Sequence, residues 1–170
     1  MTTASLFGVV LAPLFAAIAE VESENGKTSN NVYQISGRYL ADVNRIRAVR
    51  TLHRLNKFNT HDRFDRTESE RMMWEYLNYY GYRYRMSTGK NPTAEVFARI
   101  HNGGPNGWRK ESTLKYWHKV KAVMDAELAA VRSCDAIYLL KGWENSRGTK
   151  KELAEAIARG LKIMKEGAKE

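Results

Sequence analysis

IAEVESENGKTSNNVYQIS, residues 18–36, opens as the end of an apolar helix, sets Glu20, Glu22 and Glu24 two residues apart, and then enters a polar turn at Asn25-Gly26. Two residues along a helix is a rotation of about 200°, so successive members of the trio point in nearly opposite directions, whereas Glu20 and Glu24 share a face. Only part of the trio can look into one cleft. Glu22 follows Ala16, Ile18 and Val21, so an apolar wall would cover it. A negative charge there also meets the negative end of the helix dipole, which argues against an ordinary surface glutamate. A carboxyl kept protonated by such surroundings can act as a general acid. Glu20 and Glu24 read as solvated flank.

On the N-terminal side, MTTASLFGVVLAPLFAAIA reads as a buried first helix with Pro13 near its start. It lacks a basic leading segment, and its apolar run is shorter than the ~20 residues that span a bilayer, so neither a signal peptide nor a membrane span is expected. With 170 residues, 43% of them apolar, the chain is about one ordinary domain with enough material for a core. Its formal charge of +9 favours an anionic partner: nucleic acid, a membrane surface or a charged wall polymer. The single cysteine, Cys134, excludes an internal disulfide and a Cys-rich zinc site, and the four histidines show no ligand spacing. No metal or cofactor is expected.

Downstream, Ile35, Tyr39, Val43, Ile46, Val49 and Leu52 recur three or four residues apart, predicting one or two helices whose other face carries Arg38, Arg45, Arg47 and Arg50. Thr67 and Glu70 form a capping-box pattern opening a helix that runs to the Gly81 region, with Gly89, Asn91 and Pro92 marking the next break. A short helix from Thr93 stops at NGGPNG, residues 102–107, and STLKYWHKVKAVMDAELAAV forms another long one. Beyond Arg132 the pattern changes. DAIYLL and LKIM have strand character, and they flank a helix capped at Thr149 and stopped at Gly160. This is one β-α-β unit, too small to bury a core by itself. The expected architecture is mainly α, with residues 1–130 as the main domain and 131–170 as a short α/β appendage.

Glu22-Ser23, then Gln34-Ile35, then Asn102-Gly103-Gly104, then Tyr116 follow one another in a particular order. In that order they resemble the lysozyme-like superfamily, in its soluble lytic transglycosylase and goose-type lysozyme branch, over about residues 14–124. Phage and bacterial wall-degrading enzymes are found there. The resemblance implies cleavage of the β-1,4 bond between N-acetylmuramic acid and N-acetylglucosamine in bacterial peptidoglycan, with no cofactor. It makes Glu22 the proton donor, has Ser23 and Gln34 support it and shape the floor, and sets Asn102, Gly103 and Tyr116 along the cleft. Asn31-Val32-Tyr33 replaces the branch's usual Gly-Leu-Met, and Ile100-His101-Asn102-Gly103-Gly104 its usual Ala-Tyr-Asn-Ala-Gly. Lytic transglycosylase and lysozyme products both stay open, as do Asp42, Asp62 and Asp65 as a second carboxylate.

Sugars pack on flat aromatic faces, and WEYLNYYGYRYR supplies Trp74, Tyr76, Tyr79, Tyr80, Tyr82 and Tyr84. They cannot all share one helical face; Tyr80, before Gly81, is the one expected to reach the cleft. A competing class is nucleic-acid binding through the interleaved Tyr and Arg residues. A third arises from the tail: Asp135, Ser146, Gly148, Thr149 and Glu152 resemble the C-terminal half of a nucleoside 2-deoxyribosyltransferase-like domain over residues 133–164. The preceding strands and phosphate loop of that family are absent, which implies a fragment packed on the helical body.

Overall fold

The apolar periodicities become helices whose packing is set by what each face carries. In a computed structural model describing residues 11–49, 57–145 and 147–166, the chain is mainly α-helical with a short β part. The helices are α1 (Leu11–Ser23), α2 (Gly37–Val49), α3 (Arg66–Thr88), α4 (Ala94–Gly103), α5 (Leu114–Arg132) and α6 (Arg147–Ala158), the last lying between strands β1 (Ala136–Leu139) and β2 (Lys162–Lys165). Residues 1–10, Arg50, Leu52 and Ser146 lie outside the described residues.

In α1, eight of 13 residues are buried, so it is a core helix enclosed nearly all round rather than a surface helix with one apolar stripe. It packs on α4, α5 and α6, while α3 joins α2 to α4. Leu14, Ile18, Tyr33, Ile35, Val43, Met72, Leu77, Phe97, Ile100 and Val120 meet in one core. No helix among the described residues is long and apolar enough to cross a membrane. β1 and β2 pair in parallel, Ala136 opposite Lys162 and Leu139 opposite Lys165, with α6 as the crossover. α6 ends in a Schellman turn: Gly160 has φ 68°, its N–H donates to Ile157, and the Leu161 N–H reaches back to Ala156.

Three boundaries differ from the expectation. The cap of α3 is Asp65, whose carboxylate accepts from the Glu68 N–H at 2.8 Å, so Thr67 lies inside the helix. Glu70 is instead drawn to the Tyr33 hydroxyl, which donates to it at 2.6 Å. Nor does α3 stop near Gly81. That glycine is buried in mid-helix and the helix continues to Thr88, closing at Gly89 with φ 70°; packing outweighs a propensity cost of about 1 kcal/mol. Thr149, expected as a cap, lies in the first turn of α6, which starts at Arg147 after the 3-10 turn Trp143–Asn145.

One ion pair pins α2 to α3. Arg47, on the basic face of α2, is 4% exposed; its Nε donates to Glu75 at 2.6 Å and its guanidinium stacks 3.5 Å from the Phe58 ring centroid. Removing one partner of a buried pair leaves an uncompensated charge. We expect Glu75→Ala to lower unfolding free energy by about 3–5 kcal/mol in urea titrations. Asp125→Ala, which breaks an exposed pair with Lys121, should cost less than about 0.5 kcal/mol.

Candidate active site

The carboxyl of Glu22 sits where the apolar helix α1 gives out. Glu24, Asn25 and Gly26 follow with φ of 48°, 55° and 92°, three successive left-handed residues that only local hydrogen bonds can hold. Ser23 supplies them. Its Oγ lies 2.8 Å from the Val32 carbonyl and 3.2 Å from that of Ala19, and it accepts from the Gly26 N–H at 2.9 Å. At 1% exposure Ser23 clasps the loop and cannot itself touch a substrate. Glu20, half-buried, accepts from the Asn25 side chain, and Glu24 is exposed.

Glu22 keeps an 18% exposed side chain, with its Oε1 3.9 Å from His101 Nε2. Burial raises its pKa above the ordinary carboxylate value, opposed by the Tyr116 hydroxyl and the Lys119 ammonium. The helix terminus acts in the same direction as burial. Burial also depresses the His101 pKa to about 4, partly offset by the Tyr33 backbone. His101 is therefore neutral near pH 7, and its contact with Glu22 is not an ion pair.

Among the described residues, four buried side-chain polar atoms lack a protein hydrogen-bond partner: Tyr39 Oη, Trp74 Nε1, His101 Nδ1 and Tyr116 Oη. Buried polar groups are almost always satisfied, so orphans need a reason. Three of the four belong to residues around Glu22. Tyr116 faces its carboxyl closely enough for each to shift the other's pKa, yet in a geometry short of a good hydrogen bond. Tyr39 packs edge-on against His101 and stacks on Tyr76, with centroids 5.6 Å and 3.9 Å apart.

His101, Tyr39 and Tyr76 also line an open cleft of about 690 Å³, together with Asn102, Gly103 and Asp42, a size suited to an organic ligand. The cleft wall at residues 102–107 depends on close backbone approach. A Cβ on Gly107 would lie 1.8 Å from the Arg99 carbonyl oxygen, and one on Gly103 would lie 2.5 Å from Thr113 Cγ2. Arg99 Nε donates to the Thr113 hydroxyl at 3.0 Å, and that hydroxyl lies 2.8 Å from the Gly107 carbonyl, tying the turn to α5.

Glu22 and Tyr116 are brought together, and Asn102 and Gly103 line the neighbouring cleft. Gln34 is exposed, in a left-handed conformation with φ 48°. Tyr80, expected at the cleft because α3 was expected to end beside it, is instead a 4% exposed mid-helix residue one layer behind. Its hydroxyl donates to Asp42 and accepts from Arg45 at 3.1 Å. Burial raises its pKa to about 12, aided by the hydrogen bond to Asp42 and then by the Asp42 charge, and opposed by Arg45. Of the three aspartates, only Asp42 lines the cleft: Asp65 caps α3, and Asp62 accepts from Asn59. His101 escaped the sequence reading because the histidines were searched only for metal spacing; its place directly before Asn102-Gly103-Gly104 was the available signal.

A family model described as Domain of unknown function (DUF4406) matches residues 93–165, from the start of α4 through β2. The chain is 58% identical over 38 residues to a protein named Lysozyme from Magallana gigas, covering 22% of this chain and 28% of that protein. It is 50% identical over 40 residues to Lysozyme 1 of Crassostrea virginica, covering 24% and 22%. With Invertebrate-type lysozyme of Ruditapes philippinarum it shares 38% over 55 residues, covering 32% and 38%. The chain thus spans about a fifth to two fifths of the length of these relatives.

Two outcomes follow from this geometry. A carboxyl with a raised native pKa makes folding less favourable as the pH climbs from its unfolded value of 4.5 through the native one. Glu22→Gln should therefore be more stable than the wild type at pH 7 and equal to it below pH 4 in thermal melts. Gly107→Ala must displace backbone; a loss of about 3 kcal/mol or more is expected by denaturant titration, against about 1 kcal/mol for Gly89→Ala, whose Cβ meets nothing.

Proposed function

We propose that the chain cleaves the β-1,4 bond between N-acetylmuramic acid and N-acetylglucosamine in peptidoglycan, with Glu22 as the proton donor. The observation that carries this reading is the part-buried Glu22 carboxyl, its pKa raised by burial, facing Tyr116 and 3.9 Å from His101, a residue that lines the cleft. The short matches to relatives named lysozyme support the same chemistry.

Protonated Glu22 gives its proton to the glycosidic oxygen as the C1–O bond breaks, and the carboxylate then accepts a proton from whichever hydroxyl attacks C1. If the sugar's own 6-hydroxyl attacks, the product is a 1,6-anhydro end; if water attacks, it is a reducing end. The Asp42 carboxylate is held by Arg45 and Tyr80, which favours a mechanism carried by one glutamate over one needing two free carboxylates. Asn102 and Gly103 would shape the cleft wall, Tyr116 would steady the charge left on Glu22, and Ser23 and Gln34 would hold the loop behind it. The charge of +9 speeds encounter with an anionic wall more than it sets specificity.

Mass spectrometry of muropeptides released from purified peptidoglycan tests this. Wild type should release anhydro or reducing ends, which identify the attacking group. Glu22→Gln should lower release by about 10²–10⁴-fold, and wild-type turnover should decline as the pH rises through the Glu22 pKa. No release by the wild type from several wall types would overturn the assignment.

A further inference from the structure

Strand β1 and its flanks, residues 135–141, carry Asp135 at one end, Lys141 at the other and no charge between them. One edge of β1 is taken by β2, and among the described residues the sheet has no further strand. The Lys162 N–H donates to the Asp135 carbonyl at 3.2 Å and the Glu166 N–H to that of Leu139 at 2.8 Å, so residues 135, 137 and 139 turn their backbone groups toward β2. These groups alternate along a strand, and those of Ala136, Tyr138 and Leu140 therefore point to the opposite edge. Among the described residues the one bond made there is from the Trp143 N–H to the Leu140 carbonyl, an oxygen with a second lone pair.

Side chains alternate as well. Leu139 is buried, whereas Tyr138 and Leu140, on the other face, are more than half exposed. Met164, opposite Tyr138 on β2, is exposed beside them. Such an edge is a template for another strand unless charge or proline guards it. The β2 edge is guarded, since that strand begins at Lys162 and ends at Lys165. The β1 edge is not.

We infer that the β1 edge is an interface between two copies of this chain, which pair antiparallel about Tyr138 into a four-stranded sheet of order β2-β1-β1-β2. A two-fold axis has to pass beside a residue whose backbone groups point outward, which leaves Ala136, Tyr138 and Leu140 as centres. Only the Tyr138 register joins all three as hydrogen-bonded pairs, Tyr138 with its own counterpart and each Ala136 with a Leu140. The same register sets Asp135 of each copy against Lys141 of the other, opposite charges on one face; neither of the other centres does so. The two β2 strands then lie three strand spacings apart, about 14 Å, beyond a Debye length of about 8 Å, so repulsion between their lysines is screened. Because the outer edges are the guarded ones, assembly stops at two. This interface stands apart from the cleft and does not depend on its chemistry.

Sedimentation equilibrium of the full chain from micromolar to millimolar concentration tests this. The wild type should pass from monomer to dimer and no further. Asp135→Lys sets lysine against lysine twice, and Lys141→Asp sets aspartate against aspartate twice; each should weaken dimerisation about tenfold or more. An equimolar mixture of the two variants restores opposite charges at both ends and should recover the dimer. Both positions are exposed, so these substitutions leave the fold intact. Tyr138→Pro removes an outward N–H and no β1–β2 hydrogen bond, a change that an edge strand tolerates, and should leave a monomer with an unchanged circular dichroism spectrum. In a Cys134→Ser background, Tyr138→Cys should cross-link two copies under mild oxidation, since hydrogen-bonded partners lie about 5.5 Å apart at Cα, whereas Ile157→Cys, exposed on α6, should not. A wild type that stays monomeric throughout overturns the inference and leaves the edge to a strand of a different protein. A dimer indifferent to both charge reversals, or a mixture that fails to recover it, overturns the inference as well.

Discussion

The hydroxyl of Ser23 is the contact on which the site depends. An apolar helix buried nearly all round must leave the core abruptly, and the chain does so through Glu24, Asn25 and Gly26, all left-handed. Two non-glycine residues in that conformation cost on the order of 1–2 kcal/mol each. The Ser23 Oγ bridges the helix end, the Gly26 N–H and the Val32 carbonyl, so the loop folds back across the helix terminus. Asn31 extends the fastening: its side chain accepts from the Ile35 N–H at 2.9 Å and donates to the Ile35 carbonyl at 3.0 Å. Glu22 is thereby held at the boundary between core and solvent, where a carboxyl is neither fully hydrated nor fully excluded.

The same region concentrates unfavourable terms. A carboxyl is desolvated at the negative end of a helix, an imidazole is buried in neutral form, and two tyrosine hydroxyls lack protein partners. Elsewhere comparable groups find partners, Trp74 Nε1 excepted. Arg47 meets Glu75, Tyr33 meets Glu70, and the Asn44 side chain exchanges two 2.9 Å hydrogen bonds with the Phe58 backbone. Satisfied burial around an unsatisfied centre is what a preorganised site requires, because groups committed to one another cannot respond to a ligand.

The appendage follows a different logic. Two parallel strands and one helix bury little by themselves, and all four residues of β2 are exposed. Its order comes from α6 lying against α1 and α5, so this β-α-β unit is supported by the helix bundle. The DUF4406 match crosses that junction, from α4 into β2.

Local chemistry made much of this legible from sequence. Periodicity located the helices, Gly89 and Gly160 marked two of their ends, and the change after Arg132 announced the β-α-β unit. Glu22 stood out because its neighbours in the chain are also its neighbours in the helix. Local rules failed where partners come from afar: Asp65 displaced the Thr67 cap, and Gly81 continued a helix because the core covered it. Arg47, on a helix face rich in arginine, is buried against Glu75 from α3. The sequence by itself determined which segments are helical and that an acid ends the first of them. Only the tertiary structure decided what surrounds that acid, bringing His101 from α4 and Tyr116 from α5 to a carboxyl on α1. The reason is physical: helix formation depends on residues a few positions apart, whereas a proton's affinity depends on burial and charge from every element packed around it.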